Sequence, residues 1–348
     1  MPVNTAPRSL CLLRLSALGD AAHAVALIRA LQAGSPGLAI TWIIGKAEAK
    51  LLEGLDGVEL IVFDKKSGLA GLRELRRSLA GRRFDVLLNM QLALRAGLVS
   101  TLVRADRRIG YDRGRSKEGH SLFINERIEP GGEHVLDAFM QFLGPLGITP
   151  GPVRWDLPVP AEAHAWAAEQ LPGDPPTLLI SPCSSHALRN WRPERYAAVA
   201  DHAAARGWRI VLCGGRSAVE RSMADAIQAH LSTPAIDLVG KDTLKQLLAL
   251  LARADLVLTP DAGPMHLANA MGTAVLGLHA CTDAERSGPY SDRRWTVNHY
   301  GRAAEQFLGK PASQVGWGRR IEFPGVMDLV EVDEVTARFD AYLESPKT

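Results

Sequence analysis

Thr259-Pro-Asp-Ala-Gly-Pro-Met-His266 sets two titratable side chains, Asp261 and His266, beside the expected start of a helix. An apolar strand runs into this turn from Ala254 to Thr259, and a helix follows from Met265 to Met271. The first backbone N–H groups of a helix lack internal partners, and the helix dipole is positive there. Gly263 lets a ligand approach the backbone, and Pro264 suits the first helical position. Such a junction holds an anion with acid–base groups next to it, which implies a site for the diphosphate of a nucleotide-sugar.

Other junctions of this kind carry polar groups. Leu15-Ser-Ala-Leu-Gly-Asp20 leads from the first apolar strand into a helix. Asp20 there reads either as a plain N-cap or as a carboxylate able to take a proton from a hydroxyl. The glycine spacing is not the G-x-G-x-x-G fingerprint of nicotinamide and flavin sites. In the second half, strand Leu178–Ser181 is followed by a loop with Ser184, Ser185 and Arg189, offering hydroxyls, amides and a guanidinium fork to phosphate oxygens. Strand Ile210–Cys213 gives Gly214-Gly-Arg-Ser-Ala-Val-Glu220, where Glu220 is either an ordinary helix glutamate or an acceptor for ribose hydroxyls. After Val239, Lys241 and Asp242 precede a helix that Asp242 or Thr243 would cap.

The elements that position these residues are short apolar runs alternating with helical patterns. Strands are expected at 10–15, 39–44, 60–63 and 86–90, then at 177–181, 209–212, 236–238, 256–259 and 274–278. Alternation of this kind predicts an α/β protein with parallel sheets covered by helices on both faces. Two open sheets of this type face a central cleft, with ligands at the carboxyl ends of their strands. The proline-rich stretch 145–176 is the expected linker, and a last helix at 332–343 is expected to return to the first domain.

Composition narrows the classes. The 348 residues are 47% hydrophobic and 22% charged, and the net charge of +2 gives no global nucleic-acid signal. Cys11, Cys183, Cys213 and Cys281 are widely spaced without a C-x-x-C pair, which predicts buried reduced thiols rather than a zinc site. No apolar stretch is long enough to span a membrane, and the N-terminus shows no signal-peptide pattern.

Taken together the motifs resemble the ADP-heptose:lipopolysaccharide heptosyltransferases, glycosyltransferase family 9. Leu12-Leu-Arg-Leu-Ser-Ala-Leu-Gly-Asp-Ala-Ala-His23 looks like the N-terminal signature of that family. Arg189-Asn-Trp191 with Pro193 resembles its K-x-W-P segment, and Cys213-Gly-Gly with Glu220 its ribose-side loop. Asp261-Ala-Gly-Pro-Met-His-Leu-Ala268, continuing to Thr282-Asp283, resembles its D-[TS]-G-x-x-H-L-A signature. The resemblance implies a GT-B fold of two Rossmann-like, doubly wound domains, here at 1–160 (acceptor) and 161–325 (donor), with a tail at 326–348. It implies an inverting, metal-independent transfer from ADP-L-glycero-D-manno-heptose to the lipopolysaccharide inner core, with no cofactor.

By the same match Asp20 is the general base. Ser184, Ser185, Arg189, Asp261, Ala262, Gly263 and His266 hold the donor diphosphate and sugar, Glu220 the ribose, and Lys241 with Asp242 borders the adenine. Two positions depart from the pattern: Arg189 replaces the usual lysine, and Ala262 the usual hydroxyl residue. For the acceptor side, Arg104, Arg107, Arg108, Arg113, Arg115 and Lys117 form a basic cluster, with Arg95 after the fourth strand and His134 at a position resembling a cleft-facing one. These are read as a solvated surface or as a face for the anionic core and membrane. The expected location is cytoplasmic, peripheral on the inner face of the bacterial inner membrane. Rival readings are a protein O-heptosyltransferase, a nucleotide-sugar epimerase of the same fold, and a non-catalytic nucleotide-binding relative.

Overall fold

The computed structural model describes residues 7–345; the outermost ends of the expected domains, 1–6 and 346–348, lie outside the described residues. The chain divides into two compact units, 1–158 and 159–348. In the first unit the strands are β1 (Ser9–Leu13), β2 (Ala39–Gly45), β3 (Val58–Phe63), β4 (Phe84–Asn89), β5 (Ala105–Gly110) and β6 (Glu126–Arg127). Its helices are α1 (Leu18–Gly34), α2 (Lys46–Leu52), α3 (Gly68–Ser78), α4 (Leu94–Ser100) and α5 (Val135–Met140). The second unit has β7 (Thr177–Ile180), β8 (Arg209–Leu212), β9 (Ile236–Asp237), β10 (Leu256–Pro260), β11 (Ala274–His279) and β12 (Val297–Asn298). Between and around them run α6 (Ala161–Gln170), α7 (Pro193–Ala204), α8 (Ala218–His230), α9 (Leu244–Arg253), α10 (Gly263–Ala270), α11 (Ala284–Ser287), α12 (Tyr300–Leu308) and α13 (Val332–Glu344).

Both sheets are parallel, and both have the same doubly wound order, β3-β2-β1-β4-β5-β6 and β12-β11-β10-β7-β8-β9. The central strands are apolar on successive residues because helices cover both faces; β10 is buried along its whole length. In such an order the strand direction of travel reverses between β1 and β4 in one unit and between β7 and β10 in the other. Those reversal points open a crevice at the carboxyl ends. Asp20 follows β1, the Ser184–Arg189 loop follows β7, and Asp261 follows β10.

Three expectations are corrected. The first sheet has two further strands, β5 and β6, which the sequence hid because Ala105-Asp-Arg-Arg-Ile-Gly carries charge instead of an apolar run. Asp20 is not the N-cap; Ala17 is, and α1 begins at Leu18, so Asp20 occupies the third helical position. The last helix, expected to return to the first domain, is part of the second unit. Phe339 of α13 is fully buried in the core of the second unit, edge-on to Trp208 at 5.1 Å, and α13 packs on α7. Val335 and Phe339 place the apolar face of α13 in the core of its own unit.

A large-to-small change there should cost most of what a buried aromatic contributes. Phe339→Ala is expected to lower unfolding free energy by about 3–5 kcal/mol, read from denaturant titration, while the conservative Phe339→Leu loses much less.

Candidate functional site

The first unit builds its site around Asp20. Asp20 Oδ2 accepts from the Ala17 N–H at 3.2 Å, reaching back to close the start of α1, and it also pairs with Arg14. Oδ1 has no hydrogen bond among the described residues and the side chain is partly open, 29% exposed. Arg14 is the residue that sequence reading passed over. Its Nε donates to Ser16 O at 2.8 Å, its Nη1 to Met90 O, and its guanidinium lies 5.2 Å from the Phe139 ring centre. Burial would lower the Arg14 pKa, but Asp20 and Tyr111 raise it above its ordinary value. The turn is fixed by Leu15 N–H donating to Gln91 Oε1 at 2.6 Å and Trp42 Nε1 donating to Arg14 O at 3.0 Å. Gly45 ends β2 against this turn; a Cβ there would meet Leu15 O at 2.2 Å, so only glycine fits.

The second unit gathers residues from β7, β10 and β11. Asp261 stands one residue beyond β10, with Nε2 of His266 3.7 Å from its Oδ1 and Ser287 Oγ donating to its Oδ2 at 3.2 Å. Burial would raise the Asp261 carboxyl, but His266, His279 and Thr282 hold it well below the usual carboxylate range. His279, at the end of β11, was not anticipated. It is buried, its Nδ1 is 3.2 Å from Thr282 Oγ1, and burial lowers its pKa against the pull of Asp261. Ala262 is the N-cap of α10 in extended backbone, and its methyl offers no acceptor to the first-turn amides. A hydroxyl or carboxylate at that position normally fills this role; here Met265 N–H turns back to Ala262 O at 3.1 Å, Pro264 has no N–H, and the Gly263 N–H is left without a side-chain cap.

Arg189 is brought in by its loop. Trp191, fully buried, donates Nε1 to Val330 O at 3.0 Å, Asn190 Oδ1 accepts from Ser184 N–H at 2.7 Å, and Cys281 Sγ donates to Leu188 O at 3.0 Å. Arg189 Nη1 lies 3.9 Å from Asp261 Oδ2, so the strand-end residues 189 and 261 do meet. The structure also supplies a partner that sequence reading missed: Glu322 Oε1 accepts from Arg189 Nε at 3.2 Å and Nη2 at 3.0 Å. The side-on edge of the guanidinium is thereby occupied, and Nη1, with no hydrogen bond among the described residues and only the 3.9 Å ion pair to Asp261, lies at the end that remains.

Other expected donor residues have local tasks. Ser184 Oγ donates to His186 O at 2.9 Å, whereas Ser185 is exposed. Glu220 closes a capping box: it accepts from Gly215 N–H at 2.6 Å and Ser217 Oγ at 2.6 Å. Gly263 is the first residue of α10. Lys241 Nζ donates to Asp237 O at 2.6 Å, Thr243 rather than Asp242 caps α9, and burial pushes the Asp242 carboxyl up to about 6. The expected basic cluster of the first unit is largely internal. Arg107 pairs with Glu126 across β5 and β6 at 2.7 Å, and Arg108 donates to the carbonyls of Ser100, Val103 and Phe123. Arg115 is buried on Asp112 and Gln141. His134 is fully buried, capping α5 by accepting from Leu136 N–H at 3.0 Å. Arg95, Arg113 and Lys117 are exposed. The four cysteines are free, and burial pushes Cys11 and Cys281 up to about 12 and Cys183 to about 11, far from thiolate chemistry.

A family model for glycosyltransferase family 9 (heptosyltransferase) matches residues 72–314. The lipopolysaccharide core heptosyltransferase OpsX of Haemophilus influenzae is 39% identical over 337 residues, covering 96% of this chain and 97% of that protein. The chain belongs to glycosyltransferase family 9. It is thus a glycosyltransferase, and its two-unit architecture is the GT-B fold. Among solved structures, a family 9 glycosyltransferase from Veillonella parvula superposes with a TM-score of 0.81 at 21% identity, covering 97% of this chain and 98% of that one. The ADP-heptose heptosyltransferase II of Escherichia coli superposes at 0.71 and 19% identity, again over 97% and 98%. At these identities the agreement is one of fold.

The state of Asp261 has a stability consequence. Its folded pKa is depressed, so its contribution is present above the unfolded value of about 3.9 and fades as pH falls toward the folded value. The gap between the urea midpoints of wild type and Asp261→Asn should stay constant from pH 7 to about pH 5 and begin to narrow as the pH is lowered through about 4 to 3.

Proposed function

We propose that this protein transfers heptose from ADP-L-glycero-D-manno-heptose to the inner core of lipopolysaccharide, with inversion at the anomeric carbon. The observation that carries the reading is the meeting of Arg189 and Asp261 beside the uncapped start of α10, at the reversal point of the second sheet. A cation and the Gly263 N–H at the positive end of a helix suit a diphosphate, and the similarity to a relative named as a lipopolysaccharide core heptosyltransferase supplies the substrate class.

In this reading the second unit holds the donor. Arg189 and the Gly263 N–H at the start of α10 face the diphosphate, with Ser184 and Ser185 beside it; Pro264 has no N–H, and Met265 N–H is spent on Ala262 O. His266 and Asp261 lie toward the sugar, Glu220 toward the ribose, and Lys241 and Asp242 border the adenine. Asp20 removes the proton from the acceptor hydroxyl as its oxygen attacks the anomeric carbon, and ADP leaves from the opposite face. Negative charge grows on the diphosphate as that bond breaks, so fixed cations and dipoles there lower the barrier directly. They take the place of a divalent metal, and no cofactor takes part.

On the acceptor side, Arg95, Arg113 and Lys117 remain as exposed cations for anionic core groups, while Arg115 and His134 shape the unit from inside. No helix among the described residues is long and apolar enough to cross a membrane. Leu94 and Leu98 are exposed one turn apart on α4, on either side of Arg95, and Leu122 is 83% exposed. Apolar and basic residues in one surface suit a peripheral position on the cytoplasmic face of the inner membrane.

Asp20→Asn should lower kcat for transfer by roughly 10²- to 10⁴-fold with donor affinity largely retained; a variant within twofold of wild type removes Asp20 from the base role. Transfer should also persist in excess EDTA. Activity lost on chelation and regained with Mg²⁺ or Mn²⁺ would contradict the metal-free mechanism.

A further inference from the structure

Glu322 lies in the segment after the family-matched region, 133 residues from Arg189 in sequence. Its position is fixed by its neighbour: Ile321 is fully buried and its N–H donates to Cys281 O at 2.8 Å. Glu322 Oε1 takes both Nε and Nη2 of Arg189, and also stands 3.7 Å from Nδ1 of His186. Arg189 is itself only 7% exposed. A guanidinium held by one edge cannot rotate about its terminal bonds, so the direction of the Nη1–Nη2 fork is set by the carboxylate behind it. An ammonium has no plane to orient and needs no such partner.

We propose that Glu322 is a positioning residue for the transfer reaction, aiming the open end of Arg189 at the donor diphosphate. The proposal rests on the donor-site role given to Arg189 above. Glu322 adds a negative charge close to an anion site, so its presence opposes donor affinity while fixing geometry. Its removal should therefore appear in the rate of transfer and not as a weakened ground-state complex.

The experiment is a double-mutant cycle on the full chain with ADP-heptose and a purified acceptor. Glu322→Ala should lower kcat about 10- to 100-fold, the scale of a small misplacement of a catalytic group. ADP affinity by calorimetry should be unchanged or tighter, and acceptor KM unchanged. In an Arg189→Ala background the same change should have an effect below about threefold, because the group being aimed is gone. In an Arg189→Lys background Glu322→Ala should likewise do little. Glu322→Gln, which keeps the volume and one acceptor oxygen, guards against misfolding and should show a smaller fall in kcat with an unchanged melting temperature. Losses from Glu322→Ala and Arg189→Ala that multiply, or a wild-type kcat in Glu322→Ala, overturn the positioning role. A wild-type kcat/KM in Arg189→Ala alone would instead overturn the donor-site reading on which it rests.

Discussion

Covering both faces of a parallel sheet with helices leaves only the strand ends open to chemistry. Everything functional in this chain follows from that constraint. Leu10 to Leu13 and Leu256 to Leu258 are sealed in, so polar groups can enter only where β1, β7, β10 and β11 stop. The doubly wound order concentrates those ends at one reversal point per unit. Asp20 sits at the first, Arg189 and Asp261 at the second.

The two strand-end sites treat charge differently. In the first unit one carboxylate faces one arginine, and both contacts to Asp20 fall on a single oxygen. In the second unit one arginine stands between two carboxylates, Asp261 and Glu322, with His266 and His279 packed behind Asp261. Such a cluster is costly to leave uncompensated, and its components hold one another in place. A ligand bringing negative charge would meet a guanidinium already oriented by Glu322 and Asp261, which reduces the reorganisation needed on binding.

The arginines of the first unit show how a charge run misleads. Arg107, Arg108 and Arg115 read as a basic face, yet they are the material that stitches β5, β6 and the following loop to the sheet. An arginine can saturate carbonyls and carboxylates inside a fold as readily as it meets phosphate outside it, because its donors are many and its hydration is weak. The exposed remainder, Arg95, Arg104, Arg113 and Lys117, is a smaller surface than the sequence suggested.

Local pattern determined the class and much of the site. The alternation of apolar runs with helical periods gave parallel sheets, and the glycine-bearing segments after Leu15 and Thr259 marked where β1 and β10 give way to helices, because strand burial and helix starts are written within about ten residues of one another. The Ser217–Glu220 and Thr243–Gln246 capping boxes were equally local. What only the tertiary structure decided depends on residues far apart in the chain: Glu322 behind Arg189, Arg14 against Asp20 and the Met90 carbonyl, His279 beneath Asp261, and Phe339 in the second core. Each is chosen by which strand ends the sheet order brings together. A side chain's partner across that distance leaves no spacing in the sequence to be read.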